Sequence, residues 1–146
     1  MGSLEKLTMD AIEELFVNGF LVQERRARSM FELGSKKKRR NFFSGLYGGS
    51  SKLDQRFVSK VEGVNSKNEQ KILFDLLSAK HAEKTCYLMS YMPEIDRQFF
   101  SLSDGLANLL ACPMESVLVC GEHLALLHGE ANTSVQPLWL LEKKKS

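Results

Sequence analysis

Five consecutive cationic residues, Lys36 to Arg40, form the stretch whose residue types point most directly to a partner. Phe42 and Phe43 follow after a single asparagine. Clustered lysines and arginines create a positive potential that attracts anions, and phosphate is the natural candidate. Three further arginines lie on the helix predicted before this run. The sequence therefore predicts an anion-binding patch formed by Arg25, Arg26, Arg28, Lys36, Lys37, Lys38, Arg39 and Arg40.

The need for an anion depends on whether a helix ends at Gly34. Gly34 suits the position just after a helix, and Ser35 suits the N-cap of a new helix over about 36–47. There the cations would oppose the helix dipole, at a cost of about 0.3–1 kcal/mol each that a docked anion would reverse. If the first helix continues through Gly34, the dipole favours the cations and they need no ligand. Both arrangements stay open, as does an ordinary solvated surface.

Cys120 and His123 are a second candidate for chemistry, because a nucleophilic cysteine needs a nearby base. A two-residue type II′ turn at 121–122 would place Cys120 opposite His123 and Val119 opposite Leu124. No third group that would orient the imidazole is evident. We therefore interpret the pair as structural and predict no catalytic residue.

Zinc binding is conceivable from residue types alone, but the spacing of the four candidate ligands matches no established zinc pattern. The chain also lacks a P-loop and the GxGxxG, HExxH and GxSxG motifs. We predict no metal site and no cofactor. The four candidate ligands are Cys112, Cys120, His123 and His128.

The charge of the chain is unevenly distributed. The net charge of the 146 residues is +2, but 23–60 hold eleven Lys/Arg and three Asp/Glu, a net charge of +8. The remaining residues hold nine Lys/Arg and fifteen Asp/Glu, a net charge of −6. Such asymmetry is typical of a protein with an electrostatic partner.

The cysteines and the hydropathy indicate where the protein resides. Three cysteines in apolar contexts, without a CxxC motif, favour free thiols in a reducing compartment. No apolar run approaches the roughly 18 residues of a membrane-spanning helix. We therefore expect a cytoplasmic protein with no membrane association.

The periodicity predicts helices first and strands later, which is typical of an α+β fold. We expect one domain over 1–146, with a helical, basic part at about 8–62 and a mixed helix and antiparallel-sheet part at about 63–142. The sheet should have about 4–5 strands with an intervening short helix. The state of 53–62 stays open, and Pro137 places the last strand at an edge. Strands are predicted at 86–92, 98–102, 116–120, 123–128 and 135–141, and later helices at about 66–81 and 103–111.

These features predict a small soluble binding protein whose basic helical patch engages a polyanion, the backbone of RNA or DNA. The alternative is a protein-interaction module, such as an adaptor, inhibitor or immunity-type protein, whose patch meets an acidic partner. The sequence does not indicate an oligomeric state. The patch supplies electrostatic affinity without evident base recognition, so binding should depend strongly on salt.

Overall fold

The computed structural model describes residues 4–44, 46, 52–65, 67–129 and 137–143. These residues form five α-helices, two short 3-10 helices and six β-strands. No helix among them is long and apolar enough to cross a membrane. The helices are α1 (Met9–Phe20), α2 (Gln23–Gly34), α3 (Arg39–Phe43), α4 (Glu69–Ala79) and α5 (Leu102–Ala111), with 3-10 turns at Leu4–Lys6 and Gln55–Phe57. The strands are β1 (Val58–Lys60), β2 (Thr85–Ser90), β3 (Gln98–Ser101), β4 (Ser116–Gly121), β5 (Leu124–His128) and β6 (Leu138–Glu142).

The six strands form one antiparallel sheet in the order β1-β6-β5-β4-β2-β3. The predicted α+β class, with helices first and a mainly antiparallel sheet afterwards, is confirmed. The sheet has one strand more than the upper limit of the prediction, because β1 extends it beyond β6.

Helices cover both faces of this sheet. Alternate side chains along β4, such as Val117 and Val119, face one side of the sheet and pack in a core with α1, α2 and α3. The side chains between them, such as Leu118 and Cys120, face the other side and pack in a second core with α4 and α5. Successive side chains on a strand point to opposite faces, and here both faces are apolar, so the central strands are buried on both sides.

The packing of α1 follows from its sequence. The Thr8 hydroxyl accepts a hydrogen bond from the Ala11 N–H at 3.1 Å and caps the first turn. Ile12, Phe16 and Phe20 recur every four residues and therefore lie on one face of the helix. All three are buried against the sheet and the other N-terminal helices.

The register of the β4–β5 hairpin differs from the prediction by one residue. Val119 lies opposite Ala125 rather than Leu124, and Gly121 lies opposite Leu124. An irregularity between Val119 and Gly121 adds an unpaired residue to β4, as a β-bulge does. The turn is therefore formed by residues 122 and 123, and Cys120 does not face His123.

Two other predictions about the sheet also have clear outcomes. Residues 53–62 contain a 3-10 turn and β1 rather than one helix or one long strand. The last strand is not at an edge, because β6 lies between β1 and β5 and Pro137 precedes its first residue. The predicted helix start at Ser66 and the strand positions 135–136 lie outside the described residues.

Candidate nucleic-acid interface

A helix break exists at Gly34 and Ser35, which is one of the two arrangements that the sequence left open, but the break places the lysines in neither helix. α2 ends at Gly34, and α3 begins only at Arg39. The Ser35 carbonyl accepts hydrogen bonds from the backbone N–H of Lys38 and of Arg39. The prediction of a helix over about 36–47 is therefore wrong, since α3 has five residues and the three lysines form the preceding turn. Because α2 has twelve residues, its C-terminal dipole dominates at this turn and favours the cations.

Arg39, the fourth residue of the basic run, is turned into the protein. Its guanidinium donates two hydrogen bonds to Glu13, at 2.9 and 2.6 Å, and two to Asp96, at 2.6 and 3.0 Å. Its side chain is only 12% exposed. Burial opposes the charge of Arg39, but the hydrogen bonds to Glu13 and Asp96 outweigh it and raise the pKa of the guanidinium. Arg39 is therefore a structural ion-pair residue, and our placement of it in the anion-binding patch needs correction.

The buried carboxylate of Glu13 is the centre of this ion-pair network. Besides Arg39, Glu13 accepts hydrogen bonds from the Tyr87 hydroxyl at 2.6 Å and from Arg97 at 3.3 Å. Burial and the hydrogen bond to Glu13 raise the pKa of Tyr87. Asp96 also accepts a hydrogen bond from the Ser90 N–H at 2.9 Å. The network thus joins α1, α3, β2 and the loop before β3, and it fixes the position of the basic run.

The other four members of the run point to solvent. Lys36, Lys37, Lys38 and Arg40, which we call the cationic turn, are exposed. None of the four forms an ion pair with any residue in the described ranges. The Arg40 guanidinium lies over the Tyr91 ring, 4.9 Å from its centroid. This stacking orients Arg40 without neutralising its charge.

The three predicted arginines of α2 have different environments. Arg25 is exposed and lies close enough to Lys52 for its charge to contribute to lowering the pKa of that amine, although burial of Lys52 is the larger cause. Arg26 is partly buried, and its Nε donates to the Leu21 carbonyl at 3.1 Å. Arg28 pairs with Glu32 at 3.4 Å. The structure therefore brings Arg25 near Lys52 at the C-terminus of α3, while Arg26 contacts a backbone carbonyl and Arg28 forms an ion pair within α2.

Two residues on or next to α2 and α3 were not predicted as part of the site. The Lys52 amine donates to the carbonyls of Asn41, Phe42 and Ser44 at 2.9, 3.1 and 2.7 Å, which caps the C-terminus of α3. No local pattern predicts this contact. Phe31 lies on the last turn of α2 and is 55% exposed. Phe31 lies outside the apolar stripe of α2, and this spacing in the sequence could have predicted that its ring is exposed.

Cys120 and His123 do not form a catalytic pair. Cys120 is fully buried beside Cys86 in the core below α4 and α5. The hydrogen bond with the Cys86 thiol, together with burial, raises the pKa of the Cys120 thiol well above its ordinary value. His123 lies in the turn, and its Nε2 is 3.8 Å from a carboxylate oxygen of Glu122. A buried, protonated thiol without an adjacent base is not a nucleophile.

We expect native Cys120 to resist iodoacetamide at neutral pH, because burial and the raised pKa both suppress the thiolate. Peptide mass spectrometry should show modification only when urea unfolds the protein. His123→Ala should leave the rate at which iodoacetamide alkylates Cys120 unchanged. Fast native labelling that His123→Ala slows would contradict this assignment.

The residues considered for zinc binding are also dispersed. His128 makes a hydrogen bond through Nδ1 with the Leu109 carbonyl at 2.8 Å, and the Cys112 thiol lies 3.3 Å from the Ser116 hydroxyl. Within the described part of the chain, no group of three or more His, Cys, Asp or Glu side chains could hold a metal ion.

Comparison of the chain with protein families, with curated proteins and with solved structures finds no match.

Proposed function

We propose that this protein binds the phosphate backbone of RNA or DNA through the cationic turn. The observation that carries the proposal is that Lys36, Lys37, Lys38 and Arg40 are exposed together and form no ion pair in the described ranges. Four adjacent like charges repel one another, and a polyanion relieves this repulsion while releasing its own counterions.

The anchoring of the turn supports the same proposal. Arg39 ties one end of α3 to Glu13 and Asp96, and Lys52 caps the other end. The four exposed cations are therefore presented from a fixed base, which reduces the ordering entropy lost on binding. Arg25 lies near Lys52, at the C-terminal end of α3.

The proposed interaction is sequence-independent and takes place in the cytoplasm. Lysines bind phosphates as point charges and supply affinity without base recognition. The three cysteines are free and buried, which suits a reducing compartment. An acidic protein surface is the alternative partner, and no specific contact favours it over a polynucleotide.

The test is the salt dependence of polynucleotide binding, measured by fluorescence anisotropy of a labelled duplex. Four phosphate contacts predict a slope of log K against log salt of about −3.6, so raising salt from about 50 to about 200 mM should weaken binding roughly 100-fold. The triple variant Lys36→Ala, Lys37→Ala, Lys38→Ala should reduce the magnitude of this slope by about three.

The matched control removes three exposed lysines elsewhere, through Lys60→Ala, Lys67→Ala and Lys71→Ala, with the same change in net charge. This variant should keep most of the slope. Equal losses in the two triple variants would show a general charge effect and contradict the assignment to the cationic turn. Absence of salt-dependent binding by the wild type would reject the nucleic-acid proposal and direct attention to an acidic protein.

A further inference from the structure

Phe31 is the most exposed of the large hydrophobic residues in the described part of the chain. It is 55% exposed, whereas Met9, Ile72, Phe74 and Phe99 are 37–39% exposed. Phe31 lies on the final turn of α2, after Arg28 and before Lys36 in the sequence, where the cationic turn begins. A single exposed apolar side chain is common in proteins, so the exposure of Phe31 indicates a function only if its surroundings fit a ligand.

Those surroundings combine an aromatic ring with positive charge. The Arg28 guanidinium carbon is 5.4 Å from the centroid of the Phe31 ring, and Arg28 is held there by its ion pair with Glu32. Proteins commonly stack unpaired bases on aromatic rings, while lysines and arginines nearby contact the phosphates. The charge of the cationic turn is complementary to such a ligand.

We infer that Phe31 is a stacking platform for an unpaired base, so that the ligand of this surface is single-stranded nucleic acid. This inference rests on the proposed binding of a phosphate backbone by the cationic turn. In a duplex each base is stacked between its neighbours and offers no face to a protein ring, whereas a single strand can turn a base outward. The ring adds affinity for every base type, because each base has a π-face.

The experiment compares a labelled oligo(dT) with a duplex of the same length, at fixed salt, for wild type and two variants. Phe31→Ala should weaken oligo(dT) binding roughly 5- to 150-fold, the range for losing one stacked base. Duplex affinity and the salt slope should not change. Phe31→Tyr keeps an aromatic ring and should retain the affinity for oligo(dT).

The matched control is Phe74→Ala, which removes an exposed ring from α4 on the opposite face of the sheet. It should leave both affinities unchanged. If Phe31→Ala has no effect, or weakens oligo(dT) and duplex equally, the stacking role is overturned, while the slope change in the lysine triple variant still supports backbone binding. If wild type binds neither probe, both proposals fail. Circular dichroism spectra should be the same for all variants, since the replaced rings are exposed.

Discussion

Arg39→Met is expected to lower the free energy of unfolding by about 3–5 kcal/mol, as removal of one partner from a buried ion pair does. The substitution keeps an unbranched side chain but leaves the carboxylates of Glu13 and Asp96 without their guanidinium. Glu13 is buried and would keep only Tyr87 and Arg97 as hydrogen-bond donors among the contacts described above. Urea unfolding monitored by circular dichroism measures the change.

Two variants make this prediction specific. Arg40→Met alters the neighbouring, exposed cation and should change the free energy of unfolding by no more than about 0.5 kcal/mol. Arg39→Lys keeps the charge but loses the paired donor geometry, so it should be intermediate. If Arg39→Met cost little stability but reduced the salt slope of polynucleotide binding, Arg39 would be a phosphate contact after all.

Phe42→Ala is expected to cost about 3–5 kcal/mol of unfolding free energy, because it removes a fully buried ring from the core above the sheet. The Phe42 ring lies edge-on to Phe43 at 5.1 Å and to Phe16 at 6.3 Å, measured between centroids. The contact with Phe16 packs α3 against α1. The midpoint and slope of urea unfolding give the change.

Phe42→Leu is the control, since it keeps a large apolar side chain and should cost clearly less than Phe42→Ala. A loss below about 0.5 kcal/mol for Phe42→Ala would be typical of a surface site and would show that α3 is not packed as described. Together, the Arg39 and Phe42 variants separate the residues that build the base of the cationic turn from those that face a ligand.

Much of the fold could be predicted from local patterns. The spacing of Ile12, Phe16 and Phe20 predicts a helix, and the apolar runs at 116–120 and 123–128 predict a hairpin. Both exist because short-range periodicity determines which backbone conformation buries apolar side chains. The turn itself was placed one residue too early. An extra residue in β4 shifts the pairing by one position. Gly121 suits either a bulge or the first position of a type II′ turn, so its residue type alone does not distinguish the two.

The position of a strand within the sheet could not be predicted in the same way. Pro137 correctly indicates that the chain cannot donate a hydrogen bond at that point, but it precedes β6 and leaves both edges of that strand paired. The pairing of β1 with β6 joins Val58 to Leu141, and such distant partners leave no local pattern.

By itself, the sequence determined the α+β class and the concentration of positive charge around 36–40. These depend on neighbouring residues, whose backbone preferences and charges act over short distances along the chain. Tertiary structure alone decided which of those cations meets solvent. Arg39 is turned into the protein because it pairs with the carboxylates of Glu13 and Asp96, which are 26 and 57 residues away in the sequence. The cations on either side of Arg39 stay exposed. A buried charge must be paired, and its partner is chosen by the packing of α1, α3 and the loop before β3 rather than by the order of residues in the run.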